Sequence, residues 1–364
     1  MNKTCIIHKG KITEKKTFCF LVLVMSVLFF LCGCKTKDPT VKRIGISAPS
    51  NDIQRWAVET VQMKDKLQDK GYEVMIQYAS NDISMQISQI ENLIGKEVDV
   101  LIIIPVEAAS LGEAMDMALE HGIPVISYDM LITNTDAVSY YTTFDNYKVG
   151  LLQGQYVKEK LDLDNAQRTY NIEFTAGDPG DNNAGFYYSA AVEVLKPYLD
   201  SGVLKILSGQ DSFGKCATPA WSTEKAQQRA ENILASYYSN TDVDIWIASN
   251  DTTALGVSSA LAASYKGSYP IITGQDCTLI NVKNILNGKQ SMSVFKDSAL
   301  LIDATVNMVD EIVSGKSVTV NDKETYFNGV KIVPSYLCEP VSVDKDNCIE
   351  VLTSSGFYTP DQLK

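Results

Sequence analysis

Histidine is nearly absent from this chain, with only His8 and His121 among 364 residues. Imidazole-based metal centres and Ser-His-Asp or Cys-His catalysis each need a well-placed ring. His8 falls in a basic leader. His121 follows Glu120 and precedes Gly122, where a polar side chain ends a helix ahead of a strand. Phosphate loops are missing as well: Arg43 to Asp52 reads RIGISAPSND without G-x-G-x-x-G, and no G-x-x-x-x-G-K-[ST] occurs. G-x-S-x-G is also absent, so an α/β-hydrolase nucleophile has no elbow. There is no basic surplus either. The net charge is −12, and the five lysines of the leader leave the remainder more acidic still. A nucleic-acid surface, which needs concentrated lysine and arginine, is excluded. No catalytic group, metal site or cofactor is expected.

Cysteine is sparse in the body of the chain. Cys216, Cys277, Cys338 and Cys348 have no C-x-x-C spacing. Cys338 and Cys348 could pair if they lay on neighbouring strands, and free thiols are the default. Long apolar runs are limited to one, Phe18 to Leu31, which is 14 residues long. A membrane-spanning helix needs about 20. After a start that is basic through Lys16, the run fits the core of a secretory signal, with a retained anchor helix as the alternative. Leu31-Cys32-Gly33-Cys34 resembles a bacterial lipobox. Cys34, preceded by small Gly33, suits lipidation better than Cys32, preceded by Leu31. The expectation is a signal peptide over 1–33 and a lipidated tether over 34–42. The body would then lie outside the cytoplasm, attached to the membrane by lipid.

What is present is a pattern written twice. Val98 to Asp129 and Val243 to Asp276 each open on Val-Asp and an aliphatic strand. Each continues through an Ala/Leu-rich helix into a strand begun by proline, Pro124 or Pro270, and closed by aspartate. Around these stretches, strands and helices alternate from Arg43 onward. Near-continuous aliphatic strands such as Val98–Ile104 suit a parallel sheet covered on both faces. The fold class is therefore α/β, with two doubly wound, Rossmann-like lobes. No Pro/Ser-rich linker divides the series, so several short crossings should join the lobes. Arg55–Lys70, Ala184–Leu199, Thr223–Tyr238, Ala254–Tyr265 and Ala299–Val313 are expected helices. A tail from Val318 to Val343 has more β character.

On such sheets ligands bind beyond the carboxyl ends of the strands. The residues expected there are Arg55-Trp56, Tyr128-Asp129, Asp181-Asn182-Asn183, Trp221, Ser249-Asn250-Asp251, Gln275-Asp276 and Phe295-Lys296-Asp297. Carboxylates and carboxamides bridge adjacent hydroxyls, arginine and lysine donate to hydroxyl or ring oxygens, and indoles stack on apolar C–H faces. Planar polar groups with aromatic plates thus suit a small polyol. Plainer roles stand beside these. Asn250 or Asp251, and Asn182 or Asn183, are potential helix caps. Trp56 and Trp221 would serve as core residues, and Lys296 as a surface ion-pair partner.

These same residues carry a family resemblance. The chain resembles type I periplasmic sugar-binding proteins of ABC importers, in the D-xylose-binding and multiple-monosaccharide-binding branch, from about Arg43 to Lys364. The marks are RW at Arg55, SQIENLI from Ser88, YD at Tyr128, TFDNYKVG from Thr143, DNNA from Asp181 and VLKPYLDSG from Val194. SND from Ser249, GQD from Gly274, FKD from Phe295 and NGVKIVPSYL from Asn328 complete the set. The resemblance implies a three-crossing hinge, with 43–146 and 297–330 in one lobe and 147–296 and 331–364 in the other. It also implies a monosaccharide, pentose or hexose, held by Arg55, Asp129, Asn183, Trp221, Asn250, Asp276 and Lys296, with Trp56 as a second plate. Met130 and Ala220 stand where relatives have arginine, so the preferred sugar is left open. The implied partners are ABC permease subunits, for a protein acting as a monomer. The alternatives are a sugar sensor docking on a membrane kinase or chemoreceptor, and a secreted carbohydrate-active enzyme with paired carboxylates.

Overall fold

The structure is a computed structural model that describes residues 41–52 and 54–364. The apolar run Phe18 to Leu31 and the candidate lipidation site Cys34 lie outside the described residues. Among the described residues, no helix is long and apolar enough to cross a membrane.

Two parallel sheets carry the molecule. The first contains β1 (Arg43–Ala48), β2 (Glu73–Tyr78), β3 (Val100–Ile103), β4 (Val125–Tyr128) and β5 (Val138–Phe144), plus a late strand, β11 (Ser335–Cys338). Its order is β11-β5-β4-β3-β1-β2. The second is built from β6 (Tyr170–Thr175), β7 (Leu204–Lys205), β8 (Ile245–Ala248) and β9 (Ile271–Ile272), in the order β7-β6-β8-β9. Past β9, Gln275 bridges in parallel to Val294 of β10 (Met292–Phe295), which pairs antiparallel with β12 (Val341–Asp344). The second lobe thereby repeats the strand sequence of the first. The inner strands β3, β4 and β8 are wholly buried, as strands covered on both faces must be.

Helices cover the sheets: α1 (Gln54–Asp69), α2 (Ile83–Gly95) and α3 (Gly112–Glu120) in the first lobe. In the second these are α4 (Asn146–Lys160), α5 (Asn182–Asp200), the short α6 (Phe213–Cys216), α7 (Thr223–Tyr237), α8 (Asp251–Ser264) and α9 (Leu279–Leu286). Helix α10 (Ser298–Val313) returns to the first lobe, where Leu301, Ile302 and Val309 join Ile44, Ile102 and Tyr128 in one core. The last helix, α11 (Cys348–Ser354), packs into the second lobe, with Cys348 and Leu352 beside Val282 and Phe295.

The doubled sequence pattern is a doubled structure. The carboxylate of Asp99 accepts the Arg43 backbone N–H at 2.8 Å, and that of Asp244 accepts the Asn171 N–H at 2.8 Å. Each aspartate ties the foot of its strand to the lobe's first strand. At the other end, the Asp129 N–H donates to Thr142 O (2.8 Å) and the Asp276 N–H to Val294 O (2.9 Å). The first ladder thus runs one residue past β4, and the second one residue past the Gln275–Val294 bridge.

Three short crossings connect the lobes, at Phe144–Asn146, Phe295–Ser298 and Cys338–Val341. The last corrects an expected boundary. Residues 331–338 belong with the first lobe and not the second, because Ser335–Cys338 pairs with Tyr141–Phe144 of β5. The same topology separates Cys338 from Cys348. The first is buried in the first lobe's core and the second in the other lobe's, and both are free thiols. The tail from Val318 is irregular chain up to the short strands β11 and β12.

Candidate functional site

The first jaw forms where β4 ends. Asp129 adopts φ +63°, a left-handed conformation that turns the chain sharply after Tyr128. Its carbonyl is locked by three donors: Tyr141 Oη at 2.7 Å, Thr143 Oγ1 at 3.0 Å and Asn183 Nδ2 at 2.9 Å. Its carboxylate takes the Arg55 guanidinium, with Nη2 at 2.6 Å and Nη1 at 3.4 Å. Arg55 Nε in turn donates to Glu59 at 2.7 Å, one helical turn on. Glu59 is only 2% exposed and also accepts from Tyr128 Oη at 2.6 Å. Burial alone would raise the Asp129 carboxyl. The Arg55 guanidinium and the Lys296 ammonium outweigh it and hold the group below the usual range. Burial likewise opposes the charge on Arg55, and Asp129, Glu59 and Asp276 together overcome it.

The second jaw mirrors the first beyond β9, just past the Gln275–Val294 bridge. Asp276 has φ +92° and Cys277 φ +50°, so two successive non-glycine residues turn through the left-handed region. Here the cation comes from the neighbouring strand end: Lys296 Nζ lies 2.8 Å from Asp276 Oδ1. Lys296 is 9% exposed, and its ammonium stands over the rings of Phe144 and Tyr187 at 5.8 and 5.9 Å. The two jaws feel each other across the lobes, Asp276 acting on Arg55 and Lys296 on Asp129.

The remaining candidates fill the space around these pairs. Asn183, in the first turn of α5, receives Tyr141 Oη at 3.2 Å and Asn146 Nδ2 at 2.9 Å, which links both lobes beside the hinge. Trp221 lies flat over Gly177, where a Cβ would fall inside the indole, and its ring centre is 6.3 Å from that of Tyr187. Asn250, and not Asp251, is the cap of α8. Its Oδ1 accepts from the Thr253 N–H at 3.0 Å, and Thr253 Oγ1 reciprocates to the Asn250 N–H at 3.2 Å. The helix accordingly starts at Asp251, ahead of the expected Ala254. Asp181, and neither of the asparagines after it, caps α5. Trp56 packs against the first lobe's core beneath the Arg55 guanidinium, 4.4 Å from its ring centre. It supports Arg55.

A sequence profile of the periplasmic binding protein domain matches residues 44–317. The chain belongs to this family. Its fold is the type I periplasmic binding protein fold. The multiple sugar-binding periplasmic receptor ChvE of Rhizobium radiobacter is 42% identical over 325 residues, which is 88% of this chain and 92% of that one. The D-xylose-binding periplasmic protein of Haemophilus influenzae is 36% identical over 343 residues, 94% of this chain and 97% of its own. The crystal structure of an ABC transporter solute binding protein from Clostridium phytofermentans, with bound β-D-glucose, is 55% identical with a TM-score of 0.85. It covers 89% of this chain and 100% of its own. A carbohydrate transporter solute binding protein from Chloroflexus aurantiacus, in complex with D-glucose, is 32% identical with a TM-score of 0.78, covering 88% and 98%. Such family members are sugar-binding transport proteins rather than enzymes, and they work outside the cytoplasm.

In this periplasmic binding protein, Asp181 was marked by the sequence only as part of a strand-end cluster, and Asn146, Tyr141, Tyr187 and Glu59 were not singled out as site residues. Asp181 accepts the Asn183 N–H at 2.9 Å. Its pKa is pushed up to about 6, by burial first and then by Asp129, against the Asn183 hydrogen bond and Lys296. Asn146, Tyr141 and Tyr187 form one buried network, with Tyr187 Oη donating to Asn146 Oδ1 at 2.8 Å. Glu59 carried one signal, its i,i+4 spacing from Arg55. At the two places where relatives carry arginine, Met130 hydrogen-bonds only through its backbone, accepting Ser127 Oγ at 2.6 Å. Ala220 donates its backbone N–H to Asp178.

Proposed function

We propose that the protein is an extracytoplasmic receptor that captures one neutral monosaccharide, a pentose or hexose, between its lobes and delivers it to an ABC importer. The carrying observation is the pair of opposed, ion-paired aspartates, Asp129–Arg55 and Asp276–Lys296, presented by equivalent strand ends of two lobes. Each carboxylate has a cation to fix it and lone pairs left to accept sugar hydroxyls. Asn183 and Asn250 add carboxamides, Trp221 provides the stacking plate, and Trp56 steadies Arg55 from behind. Both cations are already neutralised, and Glu59 and Asp181 add further acid. That balance favours an uncharged sugar over a sugar phosphate or a uronate. Short crossings at three points allow the lobes to close as rigid bodies, burying the sugar and giving the importer a closed form to dock.

The test is calorimetry and thermal shift with pentoses, hexoses and their phosphates. Sugar at a hundred times its dissociation constant should stabilise the protein by about 2.7 kcal/mol. A response to amino acids or peptides, with none to free sugars, would sink the reading. Membrane attachment through Cys34 is proposed with it. Metabolic labelling with a fatty-acid analogue should mark the wild type and not Cys34→Ser.

A further inference from the structure

Behind the second jaw lies a carboxylate that takes no part in the site as described. Asp251, the first residue of α8, is 1% exposed. Its Oδ1 accepts Gln290 Nε2 at 3.0 Å and Ser293 Oγ at 2.9 Å, and its Oδ2 accepts the Thr278 N–H at 2.8 Å. Its backbone is engaged too. The Asp251 N–H donates to Gln275 O at 3.0 Å, and Asp251 O accepts Asn281 Nδ2 at 2.8 Å. Asn281 also donates to Gln290 Oε1 at 2.8 Å, and the Cys277 N–H reaches Ser293 Oγ at 3.2 Å. Gly274 leaves room for all this, since a Cβ there would collide with the Asp251 carboxylate.

Three of these bonds hold the turn Gln275–Thr278 itself, at Gln275 O, the Cys277 N–H and the Thr278 N–H, and the others fix Asp251, Ser293 and Gln290 behind it. That turn carries Asp276 and Cys277 at positive φ, a conformation that is strained for a residue with a Cβ. Such a conformation persists only when its surroundings over-determine it. We propose that Asp251 is a positioning residue, which holds the strained turn so that Asp276 meets the sugar. The inference rests on the reading of the cleft as a sugar site. It assigns to Asp251 a role in affinity although Asp251 itself touches no ligand.

The charged and titratable groups acting on Asp251 are Asp276, the Cys277 thiol and the Tyr358 phenol. Burial and Asp276 push its pKa up to about 7, against the bonds from Gln290, Thr278 and Ser293. Ionised, it accepts from all three donors. Protonated, one oxygen must donate, and a partner in the turn is lost.

Asp251→Asn is the direct test, because an amide cannot accept from both sides and turns one of its N–H groups on a donor. In the sugar-free variant, amide hydrogen exchange at Asp276, Cys277 and Thr278 should accelerate while the rest of β9 and β10 stays protected. Sugar affinity should weaken by about tenfold to a hundredfold. Wild-type affinity should rise as pH passes about 7 and Asp251 ionises, and this rise should be missing in the variant. Ser293→Ala removes the bonds of its hydroxyl to Asp251 Oδ1 and to the Cys277 N–H, leaves the carboxylate itself and its bond to Thr278 in place, and should give a smaller loss. Combined with Asp251→Asn, it should add nothing further. It decides the matter should Asp251→Asn fail to fold. Unchanged exchange in the turn, or a folded Asp251→Asn that binds within about twofold of wild type, overturns the proposal. A wild type that binds no sugar overturns the receptor reading instead, and the exchange measurement still judges the turn.

Discussion

The two strand-end aspartates occupy the same place in their lobes and are held by different means. Asp129 is clamped by Arg55, which belongs to the first helix of its own lobe and is braced by Glu59. Asp276 is held by Lys296, which stands at a crossing between the lobes. Asn183 occupies the place in α5 that Arg55 occupies in α1, the second residue of the helix that follows the lobe's first strand. The first jaw is therefore a rigid bidentate unit made within one lobe. The second depends on a buried point charge at the hinge and on a backbone turn gripped from behind by Asp251. The two lobes share a frame, and each anchors its carboxylate in its own way.

The largest effects should come from breaking the jaws. Asp276→Ala and Asp129→Ala should each weaken sugar binding by at least about a hundredfold, measured by calorimetry. Their effects on folding should differ. Asp129→Ala leaves Arg55 paired with Glu59, whereas Asp276→Ala leaves the buried Lys296 without its carboxylate. Chemical denaturation should therefore show Asp276→Ala destabilised by about 2 kcal/mol more. Equal losses would mean that the two anchors are energetically alike.

Trp221→Ala should weaken binding by about tenfold, through loss of the stacking plate. The change in tryptophan fluorescence on adding sugar should vanish with it. A fluorescence change that persists would place the responding indole elsewhere. Glu59→Gln should cost only about threefold in affinity, because Tyr128 Oη retains an acceptor and Arg55 retains Asp129. A loss as large as that of Asp251→Asn would make the two braces equivalent after all.

The smallest effect is a slope with pH. In the folded chain Asp181 is raised to about 6 and Asp251 to about 7. The folded state keeps these protons where the unfolded chain, with ordinary carboxyls near about 4, has released them. Between those limits the two groups make stability fall as pH rises. Asp129, depressed by Arg55 and Lys296, works the other way: its contribution is present above about pH 4 and lost as pH falls further. Melting of the sugar-free protein from pH 5 to pH 8 should show this decline, levelling off above about pH 7. Asp251→Asn should flatten its upper part, and an unaltered slope would show that Asp251 does not titrate there.

Much of the frame could be read without the structure because local patterns encode it. Thr223–Tyr237 and Ser298–Val313 lie within one residue of their expected spans. The helix beginning at Gln54 and the one ending at Asp200 lie within two residues of expectation. Strands ended by turns with Asp, Asn or Trp marked where the jaws would sit. The capping assignments were less legible. Asn250 and Asp251 are both competent caps, and only the burial of Asp251 among Gln290, Ser293 and Thr278 decides which of them faces inward. The lobe of Ser335–Cys338 was illegible for a similar reason, since a four-residue strand looks alike in either sheet and only pairing with β5 assigns it.

By itself, then, the order of residues determined two lobes of alternating strand and helix, a matched pair of strand-end aspartates, and a polar, aromatic rim around them. These follow from periodicity, turn chemistry and side-chain type, which act over a few residues. The tertiary structure decided which cation meets which aspartate, and that a carboxylate 25 residues before Asp276 in sequence holds its turn from behind. Those choices come from contacts between segments far apart in the chain, and they are made only when the sheets, helices and crossings have closed around one another.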